Sequence, residues 1–384
     1  MSEKHPRILV DARSLLDKNG GGVFEYSRRL IEALKSSGRY SLETWANAAM
    51  PNRRQRTFSA SGIDTFTRYP NKLLNASMRL FGAPRIESFA AVPPKACWMP
   101  NAHFIALSPA TPLALTIHDL TFETYPEFFS LKQRLWHRAV APRKLAERAE
   151  VVLAVSETTK RDAIERWGLS PERIVVTHEG VASEFFDVPS QNELARLREK
   201  YCLPERFILH VGALEPRKNH LGLLEAFHQL RPQERYAGLG LVLAGPPGWN
   251  NAAILQAIRR SPYRDDIRLL GYVSDADRRC LYRLASVFAF PSFYEGFGLP
   301  PLEAMASGTP VVASHAGSLS ELIETSGLLT DPYRPTEIAS AISAVLDSPA
   351  LAERYAAKGR ERAKHFSWNA CAVKTEEAFS RLRT

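Results

Sequence analysis

Apolar residues fall into two rhythms along the 384-residue chain. Short unbroken apolar runs at 8–11, 113–117, 151–155 and 174–177 predict strands. Elsewhere apolar positions recur three and four apart, as at Val23, Tyr26, Leu30 and Leu34, and predict helices over about 23–35, 131–148 and 158–167. The stretch 45–95 is irregular, Arg-rich and Pro-containing, and yields no firm element. A polar, charged segment across 181–205, containing SQNELARLREKYCLPE, reads as a connection. Beyond it the alternation sharpens, with strands at 207–211, 240–244, 267–270, 287–290 and 311–313 separated by helical segments. Continuous apolar strands interleaved with helices predict parallel sheets covered on both faces. The fold class is therefore α/β: two doubly wound, Rossmann-like domains, 1–180 and 206–368, whose ligands belong at the carboxyl ends of the strands.

Composition agrees with two soluble globular domains, at 45% hydrophobic and 24% charged residues. No run of about 18 uncharged apolar residues occurs, and the first residues enter a strand with no room for a signal peptide, which predicts a cytoplasmic protein. Cys97, Cys202, Cys280 and Cys371 lack metal-like spacing and read as reduced thiols. The net charge of +9 is uneven: residues 1–180 hold 26 Lys and Arg against 18 Asp and Glu, a net of +8. That half therefore suits an anionic partner, although a plain solvated basic face explains it equally.

Chemistry concentrates in a few strings. In VFAFPSFYEGFGLPPLEAMASGTPVVAS, residues 287–314, a strand leads into a loop with Gly296 and Gly298, and a helix opens at Pro300 and Pro301. Amides from Gly298 to Leu302, with the positive end of the helix dipole, suit an anion such as phosphate. Glu295 and Glu303 bracket that turn; singly, Glu303 also fits a dipole-complementing residue and Glu295 a solvated one. In HVGALEPRKNHLGLLEAF, residues 210–227, Gly212 ends a strand, and Arg217 and Lys218 precede a helix that Asn219 can cap. Two fixed cations there suit a diphosphate, or form a surface pair beside Glu215. His118 closes a strand in LTIHDL, with Asp119 placed to orient it or to cap a turn. The Gly20, Gly21 and Gly22 loop permits close backbone approach, as a plain tight turn also would. Asp275 and Asp277 form a D-x-D at a helix start, where capping is the expected role, so no metal ligand is assigned. His103 reads as structural. No dinucleotide fingerprint or P-loop is present.

The string EGFGLPPLEAMASGTPVV, an E-x7-E element, resembles the retaining glycosyltransferases of family 4, which have the GT-B fold. The resemblance covers essentially the whole chain, most specifically 205–330, and implies two domains facing a cleft, with a C-terminal helix at 369–384 crossing back to the first. It implies that Glu303 binds the nucleotide's ribose, Glu295 the transferred sugar, and the amides of Phe297, Gly298 and Leu299 the diphosphate and sugar. Arg217 and Lys218 become the diphosphate loop, with Gly212 beside them, and His118 hydrogen-bonds the donor sugar near its reacting carbon. Gly21 and Gly22 lie near the diphosphate or acceptor, while the backbone of Tyr272 and Val273 meets the base. The expected catalytic set is His118, Glu295, Arg217 and Lys218, acting on a nucleotide-sugar co-substrate with no cofactor and no metal.

With IHDLTFETYPEFF, the same string looks most like bacterial mannosyl- and rhamnosyltransferases of surface polysaccharide synthesis, which implies GDP-mannose or a relative such as GDP-rhamnose. A UDP-sugar glucosyl or GlcNAc transferase is the alternative, and a non-catalytic sugar-nucleotide or glycan-binding protein a more distant one. The acceptor is then a saccharide or lipid-linked saccharide. Residues 131–148 carry seven basic residues, counting His137, beside Leu131, Leu135, Trp136 and Val140, and NKLLNASMRLF at 71–81 is basic and amphipathic. Both fit peripheral contact with the anionic inner face of the cytoplasmic membrane, or ordinary surface helices. Nucleic acid is not expected as a partner, since the basic residues lack interleaved aromatics.

Overall fold

The computed structural model of the chain describes residues 5–17, 21–48 and 62–383. They form two compact units. The first comprises 1–120, 134–180 and 368–384, and the second 121–133 and 181–367, each range counted with its described residues.

The first unit is built on β1 (Arg7–Asp11), β2 (Ser41–Asn47), β3 (Thr65–Thr67), β4 (Ala96–Met99), β5 (Leu113–Ile117), β6 (Val151–Ala154) and β7 (Ile174–Val176). These pair in the order β3-β2-β1-β4-β5-β6-β7, all parallel. The chain runs outward from β1 to β3 and resumes at β4 on the other side of β1, which makes β1/β4 the switch point. β4, β5 and β6 are buried at every position, so they read as unbroken apolar runs. Helix Gly22–Ser37 buries Phe24, Tyr26, Leu30, Ile31 and Leu34, the three-and-four spacing visible in the sequence. Helix Glu157–Trp167 is started by Ser156, whose side chain accepts from the Thr159 amide, and ends at Gly168 with φ +68°.

The irregular stretch holds the end of β2, β3 and helix Asn71–Phe81, and β4 follows directly after it. β2 shows little apolar character because its first residues are exposed or half-buried and its buried end is Thr44, Trp45, Ala46 and Asn47. The single helix expected over 131–148 is two, Leu131–Val140 and Pro142–Arg148, because Ala141 adopts φ +53° ahead of Pro142 at the next helix start. Residues 121–133 pack with the second unit. Helix Trp368–Phe379 packs in the first, with Trp368 edge-on to Tyr26 and Phe379 edge-on to Trp98.

The second unit holds β8 (Phe207–Val211), β9 (Gly240–Ala244), β10 (Ile267–Gly271), β11 (Val287–Phe290), β12 (Val311–Ser314) and β13 (Leu328–Thr330). They pair in the order β10-β9-β8-β11-β12-β13, again all parallel. Its core includes Leu223, Phe227, Leu241, Leu243, Val287 and Ile342. The charged run before β8 is not a bare linker. It contains helix Gln191–Tyr201, opened by a complete Ser190/Glu193 capping box. The switch point here is β8/β11, and the loops that follow these two neighbouring strands carry Arg217, Lys218 and Glu295.

Candidate active site

The loop after β8 is short and committed. Pro216–Lys218 forms one turn of 3-10 helix, and Asn219, at φ +57°, caps helix His220–Leu230 by accepting from the Gly222 amide at 3.1 Å. The Asn219 amide group also donates to the carbonyls of Pro291 and Pro332, tying this turn to the loop after β11. Arg217 and Lys218 are thereby aimed at one carboxylate. Arg217 Nη1 donates to Glu295 Oε2 and Lys218 Nζ to Glu295 Oε1, each at 2.8 Å. Arg217 also pairs with Glu215 at 2.9 Å and donates to the Tyr294 carbonyl.

Glu215, Lys218 and Glu295 are buried and Arg217 is partly so, and the titration of the three buried groups reflects it. Burial alone would raise the Glu295 carboxyl, but Arg217 and Lys218 outweigh it and hold it at about 2. Burial, reinforced by Arg217, lowers the Lys218 ammonium despite the Glu295 charge. Burial raises Glu215 against the pull of Arg217 and Lys218. Next to Lys218, the rings of His210 and His220 stand 4.5 Å apart, and burial keeps both neutral, with His210 lowered to about 3. The cluster thus concentrates two cations and two carboxylates at the ends of adjacent strands, with neutral walls.

Glu295 owes its position to glycine. Gly317 sits at φ +62°, where a Cβ would meet the Glu295 backbone oxygen at 2.5 Å. Ser318 donates from both its amide and its hydroxyl to the Glu295 carbonyl, and its hydroxyl also reaches the Phe297 carbonyl at 2.8 Å. Gly298, at φ +111°, opens helix Leu299–Ala306, and a Cβ there would press on Leu319 at 2.8 Å. The amide supply of this helix is narrower than the sequence suggests. Pro300 and Pro301 have no N–H, and the Leu302 amide already donates to the Gly298 carbonyl at 3.2 Å. Any amides that this turn offers to an anion therefore lie at Leu299 and before it.

Glu303 occupies a separate buried setting one turn into that helix. Arg278 donates to its Oε1 and the Tyr282 hydroxyl to its Oε2, both at 2.9 Å. Both partners come from helix Asp275–Leu284, which Ser274 caps at the Asp277 amide. The Asp277 carboxylate accepts from Lys200 and Tyr201, and Asp275 faces Arg278. Tyr272 is about half exposed just before this helix, and Val273 is buried.

The remaining expected residues divide between the units. Gly212 follows β8, but its amide donates to the Ala244 carbonyl, so this N–H serves the sheet. Gly21 and Gly22 start helix Gly22–Ser37 without positive φ, Gly21 having φ −73°, and a Cβ on Gly22 would meet nothing. Their conformation does not demand glycine. Gly20 lies outside the described residues. In the first unit His118 Nε2 bonds the Pro100 carbonyl at 2.8 Å, its Nδ1 faces Glu179 at 3.4 Å, and Tyr26 packs edge-on against the ring. His103 is held neutral at about 4 by burial and by Arg13.

Sequence reasoning missed Glu179, Arg278 and Tyr282, because each stands in a helix or loop with no distinguishing string. It also missed the aromatic support behind Glu295. Phe128 stacks on Phe293 at 5.4 Å, Tyr125 lies against Tyr294, and Trp249 donates to the Phe128 carbonyl at 2.7 Å. The TYPEFF string was its visible trace.

A doubly wound sheet with a buried Arg–Lys–Glu cluster at its switch point places chemistry suited to an anionic ligand where such sheets bind ligands. Residues 196–362 match the family described as glycosyl transferases group 1, and residues 20–185 match glycosyltransferase family 4. The chain is 37% identical over 269 residues to O-antigen chain mannosyltransferase B of Escherichia coli, covering 70% of each chain. It is 32% identical over 244 residues to the serotype-specific mannosyltransferase WbdA of Escherichia coli, covering 62% of this chain and 30% of that longer one. Among solved structures, Anabaena HepE in complex with UDP and glucose superposes at a TM-score of 0.76, with 21% identity over 98% of this chain and 99% of that one. Sucrose-phosphate synthase from Thermosynechococcus elongatus also gives 0.76, at 23% identity and the same coverage. The fold is GT-B, and the chain belongs to the family 4 glycosyltransferases. It is a glycosyltransferase whose similarity is to bacterial mannosyltransferases.

Proposed function

We propose that this glycosyltransferase moves a mannosyl group from GDP-mannose to a saccharide or lipid-linked saccharide acceptor, with retention at the anomeric carbon. The observation that carries the reading is the bidentate seating of Glu295 on Arg217 and Lys218 at the carboxyl ends of β8 and β11. An arriving diphosphate competes for the two cations, and its arrival turns the Glu295 carboxylate toward the hydroxyls of the sugar. Arg217 and Lys218 then carry the negative charge that grows on the departing nucleoside diphosphate, the task a metal performs elsewhere. Glu303, steadied by Arg278 and Tyr282, receives the ribose.

The bond from the anomeric carbon to the phosphate oxygen breaks as the acceptor oxygen bonds on the same face, and the acceptor proton passes to the leaving phosphate oxygen. His118 positions the donor sugar. Mannose as the sugar is favoured by the likeness to O-antigen chain mannosyltransferase B. A nucleotide-sugar donor is favoured by the GT-B neighbour Anabaena HepE, which is seen in complex with UDP-glucose.

A thermal-shift panel of GDP, UDP, ADP and their sugars, run with EDTA present, tests the reading. Stabilisation by GDP and GDP-mannose is expected. Stabilisation by UDP alone would replace this donor with the UDP-sugar alternative, and silence toward every nucleotide would remove the reading. The anomeric configuration of the product, read by NMR, tests retention.

A further inference from the structure

The sheet of the first unit has a switch point of its own, between β1 and β4, and a cavity of about 260 Å³ stands at the strand ends beside it. We propose that this cavity is a saccharide subsite for an interior ring of the acceptor chain, so that the enzyme reads its acceptor beyond the sugar it extends. The subsite deepens the functional reading and rests on it for the class of the acceptor.

The walls come from neighbouring strand ends. Arg13 and Asp17 lie in and just after the turn that follows β1, Asn47 ends β2, and His103 stands four residues beyond β4. Asn71 and Asn75, on one face of helix Asn71–Phe81, close the outer side. Guanidinium, carboxylate and amide groups hold neighbouring hydroxyls in pairs, and Leu16 and Leu74 add an apolar patch for the C–H face of a ring.

The polar groups are not all spent on the fold. Asn47 is, since its amide donates to the Tyr69 carbonyl and Asn71 Oδ1 while its oxygen accepts from Thr67 and the Tyr69 amide. That bond orients Asn71 with its own N–H groups still to give. Arg13 pairs with Asp11 and donates to the Phe104 carbonyl, yet its Nη1 is buried without a partner among the described residues. His103 Nδ1 and Trp45 Nε1 are in the same state, and the Arg13 guanidinium lies 5.0 Å from the centre of the Trp45 ring. Three unsatisfied buried nitrogens in one cluster beside a cavity call for a ligand that supplies oxygens.

Charge separates a sugar from a phosphate here. Asp11 already neutralises Arg13, Asp17 adds a negative charge, and burial keeps His103 neutral, so the described lining has no positive excess for an anion. A neutral polyol asks for none. Position selects an interior ring. β1 and β2 lie two and three strands from β5, which leads into His118, or roughly 10 and 14 Å at ordinary strand spacing. One sugar ring does not span that distance. With His118 beside the donor sugar, the cavity receives a ring behind the one that reacts.

Isothermal titration of the full chain with mannose and with α-linked mannobiose, mannotriose and mannotetraose, without nucleotide, tests the subsite. The longest members should bind at least about tenfold more tightly than mannose, because they reach both the reacting position and the cavity. Asn75→Trp fills the cavity from a half-buried helix position, and Asp17→Ala removes a hydroxyl acceptor at its rim. Each should abolish the length advantage while keeping the wild-type thermal shift with nucleoside diphosphate. Equal affinity along the series, no binding of any member, or a length advantage intact in either variant would overturn the proposal. So would binding of inorganic phosphate that Asn75→Trp removes, which would make the cavity an anion site. Absence of the nucleotide shift in the wild type bears instead on the functional reading, so the two failures are distinguishable.

Discussion

Lys218 Nζ and Glu295 Oε1 meet at 2.8 Å, both buried, although they are 77 residues apart and arrive on loops after different strands. Arg217 completes the contact on the other carboxylate oxygen. A buried carboxylate in this state survives because both of its oxygens are matched, and removing either side leaves uncompensated charge.

The first consequence concerns pH. The folded Glu295 titrates near 2, below its ordinary 4.5, so its stabilisation is complete above about pH 5 and is lost as pH falls through 2. Glu215, raised by burial, acts with the opposite sign and offsets part of this. The melting-temperature gap between wild type and Glu295→Gln should therefore be widest near neutrality and close between pH 4.5 and 2. A gap constant with pH would show that the pair does not hold the Glu295 charge in the fold.

The two glutamates should separate kinetically. Glu303→Ala removes the acceptor of Arg278 and Tyr282 and should weaken nucleotide binding by roughly 10- to 100-fold, about 1.4–3 kcal/mol, by isothermal titration. Glu295→Ala should mainly lower turnover. Equal effects on affinity and on kcat would undo this division of roles.

Lys218→Met keeps an unbranched chain of similar length and deletes the charge that stands 4.8 Å from the centre of the Phe290 ring. Turnover should drop on the order of a hundredfold or more with a smaller change in KM, since the charge is needed most when the diphosphate departs. EDTA should leave wild-type turnover unchanged.

Glu179 faces His118 Nδ1 at 3.4 Å, and we propose it as a positioning residue for that ring. Glu179→Gln keeps a polar partner but not the charge. It should lower kcat while altering the GDP affinity little, and Glu179→Asp should restore part of the loss. An unchanged kcat would make Glu179 a purely structural side chain.

Glycine at 298 is required by backbone geometry. Gly298→Ala forces a side chain into φ +111° against Leu319, and should lower stability by about 1–3 kcal/mol and impair donor binding, read by melting and titration.

Much of this protein was decided locally. Unbroken apolar strands and the proline-started helix at 299 are nearest-neighbour physics, so they are readable in order along the chain. The strings around Arg217, Lys218, Glu295 and Glu303 are equally local, because a turn at a strand end uses consecutive residues. Strand β2 escaped because its burial ends in Thr44, Trp45, Ala46 and Asn47, a mixture with no period. The break at Ala141 escaped because the apolar rhythm of 131–148 runs on through it.

Partners distant in sequence required the tertiary structure. Nothing in the separate strings tells that Arg217 and Lys218 both close on Glu295, or that Arg278 and Tyr282 hold Glu303. Nor does the sequence choose Glu179 for His118, or tell that the Gly212 and Leu302 amides are used within the fold. Hydrogen bonds are satisfied by whichever group the packed sheet brings near, and that choice is made by strand order. The sequence by itself determined which residues stand at the strand ends; the parallel sheet with β8 beside β11 decided which of them meet.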